Sequence, residues 1–164
     1  MNKSIIKIIL LMSIFLGIVS ALLTIIPFIG EIVFWLFITI SAVVVMIFLM
    51  KIKLFEIATV RQSVVIGAII GFVSFLAFSA VYIPAVVILA RVLNYTANPG
   101  VSMFLTHSSV GLLIMLSIFM GVLSATLNAF SGFLTFYLVE FCKSLNSNQN
   151  IDNFEQYKNF NIRK

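Results

Sequence analysis

Few residues of this 164-residue chain could take part in acid–base, nucleophilic or metal chemistry. It contains one histidine, His107, and one cysteine, Cys142, which excludes a multi-histidine or cysteine-cluster metal site within one chain. Serines are frequent, but no histidine, carboxylate or lysine stands in the middle of an apolar segment to activate one. The sequence therefore predicts a protein that is not an enzyme and has no catalytic residue, no metal and no cofactor.

Three ionisable residues, Glu31, Arg91 and His107, stand at the ends of long apolar segments. They are a candidate polar cluster on one side of a membrane. The simpler interpretation is that each one anchors the end of a helix, because exposed ion pairs contribute little to stability. On that interpretation His107 is a polar residue at a helix start.

A stripe of small and polar residues runs through an apolar stretch of the chain, SIFMGVLSATLNAFSGFLT. Its members recur at spacings of four and three, which keeps them on one helix face: Ser117, Gly121, Ser124, Asn128, Ser131 and Thr135. In lipid, small residues let helices approach, and hydroxyl and amide groups add interhelical hydrogen bonds. The stripe predicts a helix-packing seam in which Gly121 and Asn128 face the first or third helix.

Two other apolar segments carry shorter stripes of the same kind. They are Ser13, Gly17, Ser20 and Thr24 in the first segment and Gly67, Gly71 and Ser74 in the third. The second segment has few small residues, so three helices are expected to meet on these faces while the second is more exposed to lipid. The stretches SIFLGIVSALLT and SIFMGVLSATLN also resemble each other, through an inverted duplication or, more simply, through a shared packing demand.

The composition requires lipid around these segments. Hydrophobic residues make up 62% of the chain and charged residues 9%, with a mean hydropathy of +1.22. Soluble domains are about half apolar and about a quarter charged. The net charge of +5 then indicates basic loops at an anionic membrane face. The expected partner is the lipid bilayer and not nucleic acid.

Four apolar segments are long enough to cross a hydrocarbon core of about 30 Å, which takes about 20 helical residues. They cover about residues 8–29, 32–50, 63–93 and 110–139. The third is longer than a crossing needs, and we expect it to bend at Pro84. Residues 144–164 are rich in Asn and Gln and poor in apolar residues, which predicts a disordered polar tail beyond the transmembrane domain of residues 1–143.

Lysine and arginine are distributed unevenly between the two sides of these segments. The N-terminal head, the connection between the second and third segments, and the tail are basic. The other two connections contain Arg91 alone. The four apolar segments predict an all-α integral membrane protein. Basic residues favour the cytoplasmic side of such a protein. We expect a bundle of four transmembrane helices with both termini inside, in a bacterial inner membrane.

Two functions are compatible with this sequence. In the first, the chain acts by assembly, as a homo-oligomer or as a subunit of a membrane complex. In the second, an oligomer transports a small solute along a path lined by Ser, Thr and Asn, with Asn128 as the candidate solute-binding residue. Assembly expects the stripes to be buried within one chain. Transport expects a stripe that faces outward or a cavity that reaches the midplane.

Overall fold

The computed structural model describes the backbone of residues 3–52, 59–96 and 98–161, and the side chains of 5–52, 59–96 and 98–145. This part of the chain forms five helices: α1 (Lys3–Thr24), α2 (Ile29–Lys51), α3 (Val60–Val92), α4 (Pro99–His107) and α5 (Val110–Asn161). All except α4 are long and apolar enough to cross a membrane. The prediction of four long apolar helices is confirmed, and they indicate an integral membrane protein.

Helix α1 ends earlier than predicted: the first segment was expected to run to residue 29, but the turn to α2 begins after Thr24. Helix α1 ends at Thr24 because Pro27 lacks an N–H and disfavours a helical conformation in the residue before it. Phe28 completes the turn in the left-handed region, at φ 66°. Gly30 is required here, because a Cβ at this position would overlap the Thr24 carbonyl oxygen. The two helices therefore form a tight hairpin.

Helix α3 begins at a capped N-terminus and continues through a proline. The Thr59 side chain accepts a hydrogen bond from the Gln62 N–H at 3.3 Å. The helix has 33 residues, or about 50 Å, and contains Pro84 in its interior. Pro84 cannot donate to the carbonyl of Ala80, so that rung of the helix is absent. The bend expected at this point stays a prediction.

Helix α4 occupies a connection in which the sequence indicated only a turn. The turn residues begin it: Asn98 caps the helix by accepting from the Val101 N–H at 3.2 Å, and proline follows at the first position. His107 is the last residue of α4, so the prediction that it starts a helix was wrong. Ser109 fills that role for α5, because its hydroxyl accepts from the Leu112 N–H at 3.4 Å.

Helix α5 continues to Asn161, through most of the tail for which the sequence predicted disorder. No glycine or proline follows Gly132 to stop it. Extending an existing helix needs no new nucleus, so polar residues without helix breakers can be added to it. Composition alone indicated too little apolar surface to fold, but it did not account for a helix that is already nucleated.

Helix α3 is the centre of the packing, with its most extensive contacts to α5 and α1. Two apolar clusters fill the space between α1, α2 and α3, one around Met46 and Ile70 and one around Phe37 and Phe78. Helix α2 buries a larger share of its span than α1 or α5. The expectation that α2 is the more lipid-exposed helix was therefore wrong.

Candidate functional site

The stripe on α1 packs against α3. A Cβ at Gly17 would overlap the carbonyl oxygen of Ser74 and would lie 3.1 Å from the backbone nitrogen of Phe78. Ser13 is fully buried and donates its hydroxyl proton to the Ile9 carbonyl at 2.7 Å, within its own helix. On this helix the small residues therefore permit close backbone approach.

The α1 stripe continues with Ser20, which is buried, and Thr24, which is half-buried and donates to the Ser20 carbonyl at 2.7 Å. The Thr24 hydroxyl is satisfied within its own helix, so it needs no partner from another helix in lipid. This end of the stripe stands beside the α1–α2 turn.

Two glycines of α3 lie in contact with the backbone of α5. A Cβ at Gly67 would overlap the carbonyl oxygen of Asn128, and one at Gly71 would lie 2.5 Å from the carbonyl oxygen of Ser124. The hydroxyls of Ser124 and Ser74 donate to the Gly71 carbonyl, at 3.0 and 3.2 Å. Small residues on both helices thus place the two backbones in contact, as the stripes require.

Gly132 extends this contact, and sequence reasoning missed it. A Cβ there would lie 2.5 Å from the Ser63 carbonyl oxygen and 3.1 Å from the Met46 Cε. The Ser63 hydroxyl donates to the Gly132 carbonyl in return. One signal could have identified it: Gly132 lies four residues after Asn128 and so is close to the same helix face. The stripe as predicted continued from Asn128 to Ser131 instead.

Asn128 is fully buried, and its carboxamide hydrogen bonds mainly to α2. Its Oδ1 accepts from the Ser41 hydroxyl at 2.9 Å and from the Ala42 N–H at 2.8 Å. Its Nδ2 donates to the carbonyls of Ile38, at 2.7 Å, and Ser124, at 2.9 Å. The expectation that Asn128 faces the first or third helix omitted this hydrogen-bonded partner.

The two backbone groups that Asn128 contacts belong to one rung of α2. In an α-helix the N–H of residue 42 pairs with the carbonyl of residue 38. A carboxamide presents one acceptor and a donor beside it, so Asn128 matches both groups of that rung at once. Ser131, three residues on, donates to the carbonyl of Thr39. Helix α5 is thereby fixed in register on the backbone of α2.

The remaining stripe residues on α5 lie at the two ends of this seam. Gly121 is buried and faces α3, where its nearest atoms belong to the Phe72 ring, at 3.3 Å from a Cβ. Thr135 is 2% exposed and donates to the Ser131 carbonyl at 2.8 Å. Ser117 is half-buried, donates to the Leu113 carbonyl at 2.8 Å, and borders a cavity between α3 and α5.

The structure does not bring the three candidate residues of the outer cluster to one cavity: Glu31 and Arg91 border separate cavities, and His107 lines neither of them. An Nη2 proton of Arg91 is donated to the Thr106 carbonyl at 3.1 Å. The His107 ring nitrogen Nδ1 lies 2.9 Å from the Met103 carbonyl oxygen, also on α4. Glu31 borders a cavity of about 450 Å³ at the α1–α2 turn, whereas Arg91 borders the α3–α5 cavity.

The site can hold helices together, and its donors and acceptors already bond within the chain. Over the described ranges, no group of three His, Cys, Asp or Glu side chains is placed to hold a metal ion. No protein-family model, no curated protein and no solved structure matches this chain.

Proposed function

We propose that this chain is a multi-pass protein of a bacterial inner membrane, with both termini cytoplasmic, that acts by assembly. It works as a homo-oligomer or as a subunit of a membrane complex, and not as an enzyme. Its four long apolar helices and the one-sided distribution of basic residues support this location and orientation.

The polar seam supports assembly over a polar transport path. Asn128, the candidate solute-binding residue, is fully buried and directs both ends of its carboxamide at groups of its own chain. Gly67, Gly71 and Gly132 are in contact with backbone atoms, which leaves no width for a solute along this part of the seam. A path through these stripes would have to break the packing that holds α3 to α5.

The observation that carries the proposal is the outward face of α5. This helix has the smallest buried share of the four candidate spans. Along its exposed side Phe130 stacks on Phe133 at 6.2 Å between ring centroids, and Phe133 meets Tyr137 edge-on at 4.9 Å. We call these three residues the aromatic ladder. Ordered rings offer a partner helix a rigid surface at small entropic cost, and aromatic pairs contribute about 0.5–1.5 kcal/mol each.

Native mass spectrometry of the full chain, extracted in a mild detergent, tests this proposal. The expected spectrum contains a species heavier than one chain, made of several copies or of this chain with a co-purified membrane protein. Replacing Phe133 and Tyr137 together by leucine should shift the spectrum towards the single chain. Leucine is at least as favourable in lipid as phenylalanine or tyrosine, so the substitution changes only the contact surface.

Phe15→Leu is the matched control, because Phe15 is 63% exposed on α1 and lies outside the aromatic ladder. It should leave the heavier species intact. A single-chain mass for the unmodified protein in several mild detergents and in nanodiscs would overturn the proposal. So would equal dissociation by Phe15→Leu and by the ladder variant.

Transport of a small lipophilic solute is the second candidate, and one observation favours it. Ser117 of the α5 stripe borders a cavity of about 550 Å³. The lining of that cavity stops at Leu76 and Ile118, however, and the α3 and α5 backbones are in contact deeper along the helices, at Gly71 and Ser124. A groove that ends blind is better suited to holding a ligand than to passing one.

A further inference from the structure

The blind groove between α3 and α5 has a defined shape. It opens where the two helices separate beyond their contact at Gly71, and α4 borders its far end. On α3 its wall runs from Leu76 to Arg91, which are about 22 Å apart along the helix axis. That length exceeds half of a hydrocarbon core of about 30 Å. The groove is therefore long enough to extend along the acyl chain of a lipid in one leaflet.

The wall of the groove is apolar along most of its length and cationic at its outer end. Ile83, Val87 and Ile114 belong to its apolar part. At the outer end Arg91 is exposed and donates one N–H to the Thr106 carbonyl at 3.1 Å. A guanidinium has several N–H donors in a planar fork that matches a phosphate, so one bond to a carbonyl does not exhaust it.

A second groove on the same protein shows what Arg91 adds. It lies between α1 and α2 and encloses about 540 Å³, almost the same volume. Its lining consists of apolar side chains only: Leu11, Met12, Phe15, Leu16, Val44, Val45 and Phe48. Any acyl chain can fill such a groove without preference. The α3–α5 groove combines almost the same volume with a cation at its outer end.

We propose that the α3–α5 groove binds an anionic phospholipid, with one acyl chain along the groove and the phosphate on Arg91. This site goes beyond assembly and does not depend on it. The charge complementarity at the outer end selects the headgroup, and the apolar wall retains the chain.

The test measures lipid binding to the full chain in nanodiscs and by native mass spectrometry after release. The probes are phosphatidylglycerol and phosphatidylcholine with identical acyl chains. We expect about a tenfold preference for phosphatidylglycerol in the retained lipid, because both headgroups present a phosphate but the choline cation of phosphatidylcholine offsets that charge beside Arg91. Arg91→Gln should abolish the preference, and Ala80→Phe should reduce retention of both lipids by filling the groove, which Ala80 lines.

Matched controls separate this site from general surface effects. Arg61→Gln removes an exposed arginine from the other end of α3, and Val44→Phe fills the α1–α2 groove. Both should keep the preference. Arg91→Lys retains the charge and should keep part of the preference for phosphatidylglycerol. A partial preference in Arg91→Lys would show that the loss in Arg91→Gln comes from the charge and not from a disturbed α4.

Three results would overturn the proposal. The first is equal retention of the two lipids by the unmodified protein. The second is the same loss in Arg61→Gln as in Arg91→Gln, which would mean diffuse charge attraction. The third is full competition by inorganic phosphate at concentrations equal to the lipid, which would mean a site for the ion without the chain. A single-chain mass in the assembly experiment would leave the lipid result unaffected, so the two proposals fail separately.

Discussion

Asn128 shows how a polar side chain is accommodated in an apolar helix. An amide without partners in hydrocarbon is costly, and the hydroxyls of the neighbouring helices stand only at particular positions. Asn128 instead bonds to the backbone of α2 as well as to the Ser41 hydroxyl. Backbone groups are present at every position of a helix, so the register is determined by where the carboxamide is placed on α5.

Coupling between Asn128 and Ser41 should be measurable as a failure of additivity. We expect the double variant Asn128→Ala, Ser41→Ala to lose less stability than the two single variants summed, by about 0.6 kcal/mol, because their shared hydrogen bond is counted twice. The free energy of unfolding in a titration with a denaturing detergent measures this. Ser13→Ala is the control, since Ser13 bonds to Ile9 in its own helix. Additivity with Ser41 would mean that the bond contributes nothing.

Glycines that lie on the same seam should differ in how they tolerate a methyl group. At Gly67 a Cβ would meet the backbone of Asn128, which cannot move without separating α3 from α5. Gly67→Ala should therefore cost about 1–3 kcal/mol. At Gly121 a Cβ would meet only the Phe72 ring, which can rotate, and alanine favours the helix by up to about 1 kcal/mol. Thermal unfolding in one detergent should rank Gly67→Ala well below Gly121→Ala.

Equal losses at the two glycines would contradict this geometry. The stripe alone predicts that Gly121→Leu is more harmful than Asn128→Leu. The contacts change that expectation, because Gly121 meets a movable ring while Asn128 holds α5 on α2. We therefore now expect Asn128→Leu to be the more destabilising of the pair.

At the scale of elements, α2 is the helix that sequence reasoning described least well. Side-chain patterns could show the small faces of α1, α3 and α5, because those faces are made of side chains. What α2 contributes to the seam is largely backbone, namely the carbonyls of Ile38 and Thr39 and the N–H of Ala42. Backbone groups have no sequence signature, so α2 looked like a lipid-facing helix. The short helix α4 was not predicted either, because the residues that begin it have the same sequence pattern as a turn.

The proline in α3 gives the element a testable shape. If the helix bends there by the more than 20° typical of proline kinks, its last eight residues, an arm of about 12 Å, are displaced by about 4 Å. Pro84→Ala should straighten it. Spin labels at Val92→Cys and Met115→Cys, both exposed positions, would report a change of a few ångströms between α3 and α5. The labels require Cys142→Ser, and a distance that is unchanged by Pro84→Ala would contradict the bend.

At the scale of the whole molecule, hydropathy predicted the four long helices, because a lipid solvent requires apolar helices of this length. Lipid forces each crossing segment to satisfy its own backbone, and length and apolarity are sufficient to recognise it. The boundaries were less accurate, since they depend on Pro27 and on the absence of helix breakers in the tail. Which helix touches which depends on backbone approach, and only the α1, α3 and α5 stripes gave any indication of it.

The orientation of the molecule leads to a labelling prediction. The basic head and tail should both lie in the cytoplasm. A cysteine at position 147, introduced as Ser147→Cys with Cys142→Ser, should therefore resist a membrane-impermeant thiol reagent in intact cells and react after permeabilisation. A cysteine introduced at exposed Phe28, in the α1–α2 turn, is the control and should react without permeabilisation. The opposite pattern would invert the topology.

The pairing of Asn128 with α2 also implies an order of events during biosynthesis. Helix α2 leaves the ribosome long before α5, and its rung between Ile38 and Ala42 can close on itself without help. Asn128 is only partly satisfied in its own helix, because an isolated α5 offers Nδ2 the Ser124 carbonyl but leaves Oδ1 in lipid without a donor. The stable insertion of α5 therefore depends on α2, which is already in place, whereas α2 does not depend on α5. An α5 segment presented alone to the insertion machinery should enter the bilayer less efficiently than the same segment at the end of the full chain.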